Sequence, residues 1–304
     1  MSVILSTTSG RLSMLRLKNP KILLTGGTGY LGSNILKKLI SERYEVILLK
    51  RSFSNTFRIK EYENSIVTYD IDKSDIKKIF LEHKIDIILH CATDYGRKNV
   101  DPLQVIEANL ILPLRLLELG KQNGAACFIN TDTILDKRVN YYSLSKGQFA
   151  EWLQAYKNDL SCVSIALEHF YGPGDDKTKF VSYVIDQLLN NAKKIDLTPG
   201  EQKRDFVYID DVVAGFLLVI EKYKQFGRGY FKFEIGSGNL ISIKDFVIKI
   251  QQYVRNTKTK LNFGAIPYRK NEVMEHRVDL TEIQKLGWVC KNFIEQGLKK
   301  TINL

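Results

Sequence analysis

Short apolar runs alternate with amphipathic stretches along most of the chain, beginning at Lys21. Lys21–Thr25 (KILLT) reads as a first strand, followed by a glycine-rich turn and a helix through Ile40. Glu45–Leu49 (EVILL) and Lys84–His90 (KIDIILH) read as further strands, and Cys127–Asn130 as another that stops where polar residues begin. Apolar residues at helical spacing mark Ile76–His83 and Pro102–Gln122. A helix from Tyr141 to about Tyr156 and a strand at Cys162–Leu167 follow, before the turn Tyr171-Gly172-Pro173-Gly174. Beyond it the rhythm loosens: a helix near Val181–Asn191, a strand at Phe206–Tyr208, a helix at Asp211–Tyr223 and two later helices. Strands that alternate with helices predict an α/β fold, a Rossmann doubly wound parallel sheet with a smaller α/β C-terminal lobe. The expected division is an extension over 1–20, a cofactor-binding domain over 21–170, and a mainly substrate-binding lobe over 171–304. Segments near 205–240 are expected to return to the first domain.

With 304 residues, 44% hydrophobic and 26% charged, the chain can bury a sizeable core. No apolar stretch approaches the roughly 18 residues of a membrane-spanning helix, so no membrane association is expected. The formal charge of +11 raises the question of nucleic acid. Its Lys and Arg do not form blocks interleaved with aromatics, and an anionic cofactor and substrate account for a positive cleft better. Cys91, Cys127, Cys162 and Cys290 stand far apart, as do His83, His90, His169 and His276. That spacing argues against a metal site or disulfide framework and for a reducing cytoplasm. Met1 to Asn19 carries Arg11, Arg16 and Lys18 with no acid, and reads as a flexible extension.

Thr25-Gly26-Gly27-Thr28-Gly29-Tyr30-Leu31-Gly32 joins the first strand to the first helix. Glycines there allow a tight turn and close approach of backbone to a diphosphate, which the helix N-terminus then holds. An acid at the end of the second strand would grip a ribose hydroxyl of NAD. This strand instead runs into Lys50-Arg51, which either face solvent or take a 2′-phosphate through the guanidinium. The expected cofactor is therefore NADP(H), with NAD possible.

Tyr142 and Lys146 are four apart, which puts both on one helical face. A nearby ammonium is expected to lower the phenol's pKa and fit it for proton transfer. The pair follows Asn130-Thr131-Asp132-Thr133 at a strand end. Taken with the glycine turn, these motifs resemble the extended short-chain dehydrogenase/reductase family, the NAD-dependent epimerase/dehydratase group acting on nucleotide sugars. The resemblance runs from Lys21 to the C-terminus. It takes in His90-Cys91-Ala92-Thr93, Asn109, Tyr171-Gly172-Pro173-Gly174, Arg204-Asp205-Phe206-Val207-Tyr208-Ile209-Asp210-Asp211 and Leu286-Gly287-Trp288. Within that group, Leu167–Asp175 and Phe263-Gly264-Ala265-Ile266 resemble the CDP-abequose and CDP-paratose synthase type, reductases of a CDP-4-keto-3,6-dideoxyhexose.

The resemblance implies roles for matched positions. Thr131, Tyr142 and Lys146 would be catalytic, with Thr131 bonding the oxygen that changes oxidation state. Gly26, Gly29, Tyr30, Leu31, Gly32, Lys50 and Arg51 would hold the cofactor. Asp70 and Ile71 would sit beside its adenine, and Cys91, Ala92, Thr93 and Asn109 along it. Thr93, Asp132, Thr133, His169, Lys179 and Phe180 would line the substrate, and Arg204 and Arg269 would clamp its diphosphate. A homodimer built on the helices at Pro102–Gln122 and Tyr142–Tyr156 is implied as well. Two departures stand out. Dehydratases of the group carry Glu where this chain has Thr133, which cannot act as a carboxylate, so dehydration is disfavoured. His169 replaces a common Asn and Ala166 a common Arg, so His169 either contacts phosphate or packs beneath the cleft. The activity expected is 4-ketoreduction of a nucleotide-linked deoxysugar, with 4-epimerisation using bound NAD as the alternative. A non-enzymatic NADP sensor or RNA-binding protein would be favoured by loss of Tyr142 or Lys146, and both are present.

Overall fold

The structure, a computed structural model, describes residues 19–97, 101–269 and 272–303. The extension read over residues 1–20 therefore lies almost wholly outside the described residues. Elements follow one another as β1 (Lys21–Thr25), α1 (Tyr30–Ser41), β2 (Glu45–Lys50), β3 (Val67–Asp70), α2 (Ile76–Glu82) and β4 (Ile87–His90). Next come α3 (Pro102–Ile106), α4 (Leu112–Gln122), β5 (Cys127–Thr133), α5 (Tyr141–Ala155), β6 (Ser161–Leu167) and β7 (His169–Tyr171). The second half holds α6 (Phe180–Leu189), β8 (Lys194–Leu197), β9 (Lys203–Tyr208), α7 (Ile209–Phe226), β10 (Gly229–Ile235) and β11 (Leu240–Ser242). It closes with α8 (Ile243–Val254), β12 (Lys260–Phe263), α9 (Thr281–Lys285) and α10 (Ile294–Ile302).

Seven strands form the main sheet in the order β10-β6-β5-β4-β1-β2-β3, and every neighbouring pair is parallel. This is the Rossmann sheet expected from the alternating pattern. Alternate residues of each strand point to opposite faces. Ile22 and Leu24 of β1 join Val46, Leu48, Ile129 and Ile165 in one core beneath α1 and α7. Leu23, Ile47, Ile88 and Phe128 join a second core under α2, α4 and α5. Burial on both faces explains why these strands read as unbroken apolar runs. The edge strand β3 (VTYD) is half exposed and lacks such a run, so the hydrophobic pattern does not announce it.

Two smaller sheets, β11-β9-β7 and β12-β8, form the C-terminal lobe with α6, α8 and α10, while α9 packs on β10 of the main sheet. Among the described residues three helices follow α7, where the apolar spacing suggests two. The first core runs on into this lobe through Tyr171, Phe206, Phe246 and Leu298, so one apolar body carries both halves of the cleft. Asp211, buried at the start of α7, ties the C-terminal segment down. Its carboxylate accepts from the Lys291 and Asn292 N–H groups at 3.1 and 2.8 Å and from Asn292 Nδ2 at 3.0 Å. Its carbonyl accepts from Trp288 Nε1 at 3.0 Å.

The helical period at Pro102–Gln122 is not one regular helix. A wide turn with π-type hydrogen bonding, Glu107–Ile111, separates α3 from α4. Pro113 explains it in part: a proline has no N–H to donate and its ring crowds the carbonyl four residues back, here that of Asn109.

A cleft at the carboxyl ends of the strands

β1 leads to β2 on one side and has β4 on the other, so the strand order reverses between β1 and β4. Ligands of open α/β sheets enter at such a switch point. A cleft of about 1650 Å³ opens there, bounded by the turn after β1, the ends of β2, β4 and β5, and the segment from β7 to α6. A pocket for one small ligand spans roughly 300–1,000 Å³, so this one has room for two.

The glycine turn forms its floor. Gly26 has φ +70°, and a Cβ there would overlap the backbone of Cys91 and Ala92. A Cβ on Gly32 would overlap the carbonyl of Gly26. The turn is thus pressed against the loop after β4, and α1 begins at Tyr30 with first-turn N–H groups that have no helical acceptor. Gly29, Tyr30, Leu31, Cys91, Ala92 and Thr93 all line the cleft. This cradle fits the diphosphate of a dinucleotide.

Lys50, Arg51 and Ile71 line the far end. Arg51 is not free: its Nε donates to Asp72 Oδ1 at 3.0 Å, leaving its two terminal nitrogens. The Ser52 N–H donates to Asp72 Oδ2 at 2.8 Å, and the Ser52 hydroxyl to Asp70 Oδ2 at 2.7 Å. That hydroxyl holds the Asp70 carboxyl below its usual range. An acidic pair therefore stands beside the cations, supplied by the end of β3 rather than of β2.

At the inner end, Thr131, Asp132, Thr133 and Tyr142 converge. Asn140 caps α5 by accepting from the Ser143 N–H at 2.9 Å, which sets Tyr142 in the first turn. Lys146 lies one turn on, buried beneath the cleft, and its Nζ donates to the Thr131 carbonyl at 2.8 Å. Burial pushes its ammonium down to about 8. The Thr131 hydroxyl donates to Cys91 Sγ at 3.3 Å. Asp132 accepts from the Thr133 N–H and from the Ser164 hydroxyl, both at 2.8 Å, and burial raises its carboxyl above the usual range.

One expectation is corrected here. The Tyr142 phenol is raised, not lowered, first by burial and then by the neighbouring Tyr95. The Lys146 ammonium is turned to the Thr131 carbonyl, at 2.8 Å. Burial disfavours the charged phenolate.

Asn109 sits fully buried in the wide turn, behind the cleft wall. Its amide pairs with both the N–H (2.9 Å) and the carbonyl (2.8 Å) of Asp94, and donates to Ser145 Oγ at 3.1 Å.

On the opposite wall, His169 Nδ1 lies 3.2 Å from Glu168 Oε2, with its ring against Phe206. Lys179 immediately precedes α6 and Phe180 begins it, and both line the cleft together with Arg269. Arg204 is not among the lining residues. It pairs with Glu272 and donates to the Lys203 carbonyl at 2.7 Å. The structure also brings in residues that the motifs did not point to. Arg58 donates to the Gly174 carbonyl at 3.0 Å, and Tyr95 packs on Tyr142 with ring centroids 5.1 Å apart. Tyr95 stands two residues past Thr93, in the loop leaving a central strand, and that position was the available signal.

The family model described as "NAD dependent epimerase/dehydratase family" matches residues 22–236. The chain belongs to this family. It is accordingly an NAD(P)-dependent enzyme of the extended short-chain dehydrogenase/reductase type. Among its relatives is the CDP-abequose synthase of Salmonella muenchen, 35% identical over 296 residues, covering 94% of this chain and 98% of that protein. The UDP-glucose 4-epimerase of Thermotoga maritima, solved with UDP-glucose, superposes with a TM-score of 0.79 at 26% identity. That match covers 93% of this chain and 97% of the other. The UDP-glucose 4-epimerase of Thermus thermophilus, solved as a complex with NAD, shares the fold at a TM-score of 0.78 and 20% identity over 93% and 98% of the two chains.

Proposed function

We propose that the protein is an NADPH-dependent 4-ketoreductase of a nucleotide-linked deoxysugar of the CDP-4-keto-3,6-dideoxyhexose kind, acting in O-antigen sugar synthesis in the cytoplasm. The observation that carries this reading is the inner end of the cleft, where, among the described residues, the Tyr142 phenol meets the Thr131 and Thr133 hydroxyls and no free carboxylate. Thr133 stands where a dehydratase needs an acid, and Asp132 is engaged by Ser164 and the Thr133 N–H. The likeness to CDP-abequose synthase supports the choice of substrate.

The bound cofactor supplies a hydride. Tyr142, kept protonated by burial, gives its phenolic proton to the oxygen of the reduced carbonyl. The Thr131 hydroxyl turns from Cys91 to the same oxygen and stabilises its growing charge. Lys146, anchored on the Thr131 carbonyl, holds a positive charge beneath both. Gly26, Gly29 and Gly32 with the start of α1 seat the cofactor diphosphate, and the remaining nitrogens of Arg51 with Lys50 favour a 2′-phosphate. Lys179 and Arg269 serve the substrate diphosphate. Arg204 joins them once it leaves Glu272.

The second reading, 4-epimerisation with retained NAD, is supported by the likeness to the Thermotoga epimerase and by the acids beside Arg51. One experiment separates the two. The purified protein is given NADPH and a CDP-4-keto-3,6-dideoxyhexose, and absorbance and product configuration are followed. One NADPH consumed per sugar supports the reductase. Interconversion of 4-epimers with no net cofactor consumption supports the epimerase and rejects the first reading.

A further inference from the structure

We propose that Tyr95 is the platform that selects the sugar: its ring receives the apolar face of a hexose lacking hydroxyls at C3 and C6. This rests on the substrate class proposed above and adds the residue that distinguishes it from an ordinary hexose.

Tyr95 is held from its backbone outward. The preceding residue, Asp94, has both its N–H and its carbonyl paired with the buried amide of Asn109, at 2.9 and 2.8 Å. The Asp94 carboxylate accepts from the Gly96 N–H at 2.8 Å, closing the loop on itself. Asn109 also donates to Ser145, on the helix that carries Tyr142, so the loop and the helix keep one spacing. The ring then packs on Tyr142 at 43°. Two cations lean on it: the Arg97 guanidinium at 5.0 Å and the Lys179 ammonium at 5.6 Å from its centroid. Both are anchored elsewhere, Arg97 by the Thr178 hydroxyl at 2.9 Å and Lys179 by Asp175 at 3.6 Å and the Phe170 ring at 4.5 Å.

Despite these contacts 40% of Tyr95 stays exposed, in the cleft beside the proposed proton donor. A rigid aromatic with open surface is prepared to accept an apolar face without an ordering cost. A hydroxyl pressed on the face of that ring would give up water and gain no comparable hydrogen bond from the ring carbons. Loss of the hydroxyls at C3 and C6 leaves a methylene and a methyl group, and burying these is favourable.

The test is calorimetric binding in the presence of NADP+, using a CDP-linked 3,6-dideoxyhexose, CDP-glucose and CDP alone. Wild type should prefer the dideoxy sugar over CDP-glucose by about tenfold or more, the scale of a methylene-sized discrimination in an apolar pocket. Tyr95→Phe should keep that preference. Tyr95→Ala should bring the ratio close to one while CDP affinity stays within about twofold. The proposal is overturned if wild type shows no preference, if the Ala variant keeps it, or if the Phe variant loses it, since the oxygen and not the ring would then act. Parallel loss of CDP affinity would mean general damage to the cleft and also overturns it. Binding is read apart from turnover. A chain that prefers the dideoxy sugar but never oxidises NADPH with its 4-keto form would refute the reductase and leave Tyr95 in its role.

Discussion

Tyr141 and Tyr142 are consecutive phenols at the start of α5, and the helix turns them to different surroundings. Tyr142 lines the cleft, and Tyr141 faces outward with 59% of its surface exposed. Tyr142→Phe should cut reduction of a 4-keto sugar by about 10²–10⁴, the scale of a lost positioned acid. NADPH affinity, followed by fluorescence titration, should be unchanged, and Tyr141→Phe should be silent in both measurements. A Tyr142→Phe enzyme working at the wild-type rate would remove the catalytic assignment. The pH profile follows from Lys146 rather than Tyr142. The phenol, raised by burial, stays protonated across the neutral range, whereas the ammonium is pushed down to about 8. If the charged form of Lys146 supports reduction, kcat/KM should be level below that value and fall as pH rises through it. Lys146→Arg, which keeps its charge, should move the fall upward, and a profile flat from pH 7 to 10 would argue against any role for that charge.

At the scale of elements, the periodic pattern carried most of the helices and the doubly buried strands, and it failed where tertiary contacts replace periodicity. Edge strand β3 and the short strands of the second lobe have too little apolar repetition to be seen. The wide turn in the 102–122 helix has a visible cause in Pro113, but its consequence, Asn109 aimed at Asp94, depends on a loop arriving from β4. The anchoring of α7 is similar. The Asp211 carboxylate accepts three N–H donors from residues about 80 positions later and, among the described residues, pairs with no cation. Asp211→Asn would turn an amide NH₂ toward some of those donors. It should lower unfolding free energy by about 2–4 kcal/mol, the cost of buried donors left without acceptors. Urea denaturation measures this directly, and an unchanged midpoint would mean that water or another group serves those donors equally well.

For the whole molecule, no described helix is long and apolar enough to cross a membrane. What the surface does show is apolar side chains on α3 and α5: Leu103, Leu144 and Trp152, the last 44% exposed. We propose that the stretches Pro102–Gln122 and Tyr142–Tyr156 pair with their copies across a two-fold axis as a four-helix bundle. Light scattering at micromolar concentration should then report a dimer, and Trp152→Glu, which places a charge in the buried patch, should yield a folded monomer. A monomeric wild type, or a variant that remains dimeric, would place the interface elsewhere or abolish it.

The sequence by itself determined what depends on neighbours along the chain. The glycine turn between β1 and α1, the four-residue spacing of Tyr142 and Lys146, and the period of the buried strands are local, because backbone sterics and helix geometry act over a few residues. The turn follows β1 and the helix with Tyr142 and Lys146 follows β5, the two strands that flank β4, so the order of strands and helices brings both to one end of the parallel sheet. Tertiary structure decided the rest, where partners come from far apart. It set Asp72 against Arg51, Glu272 against Arg204, Arg58 on the Gly174 carbonyl and Tyr95 on Tyr142. It also reversed the expected shift of the phenol, since burial is a property of the packed molecule and spacing along one helix cannot reveal it.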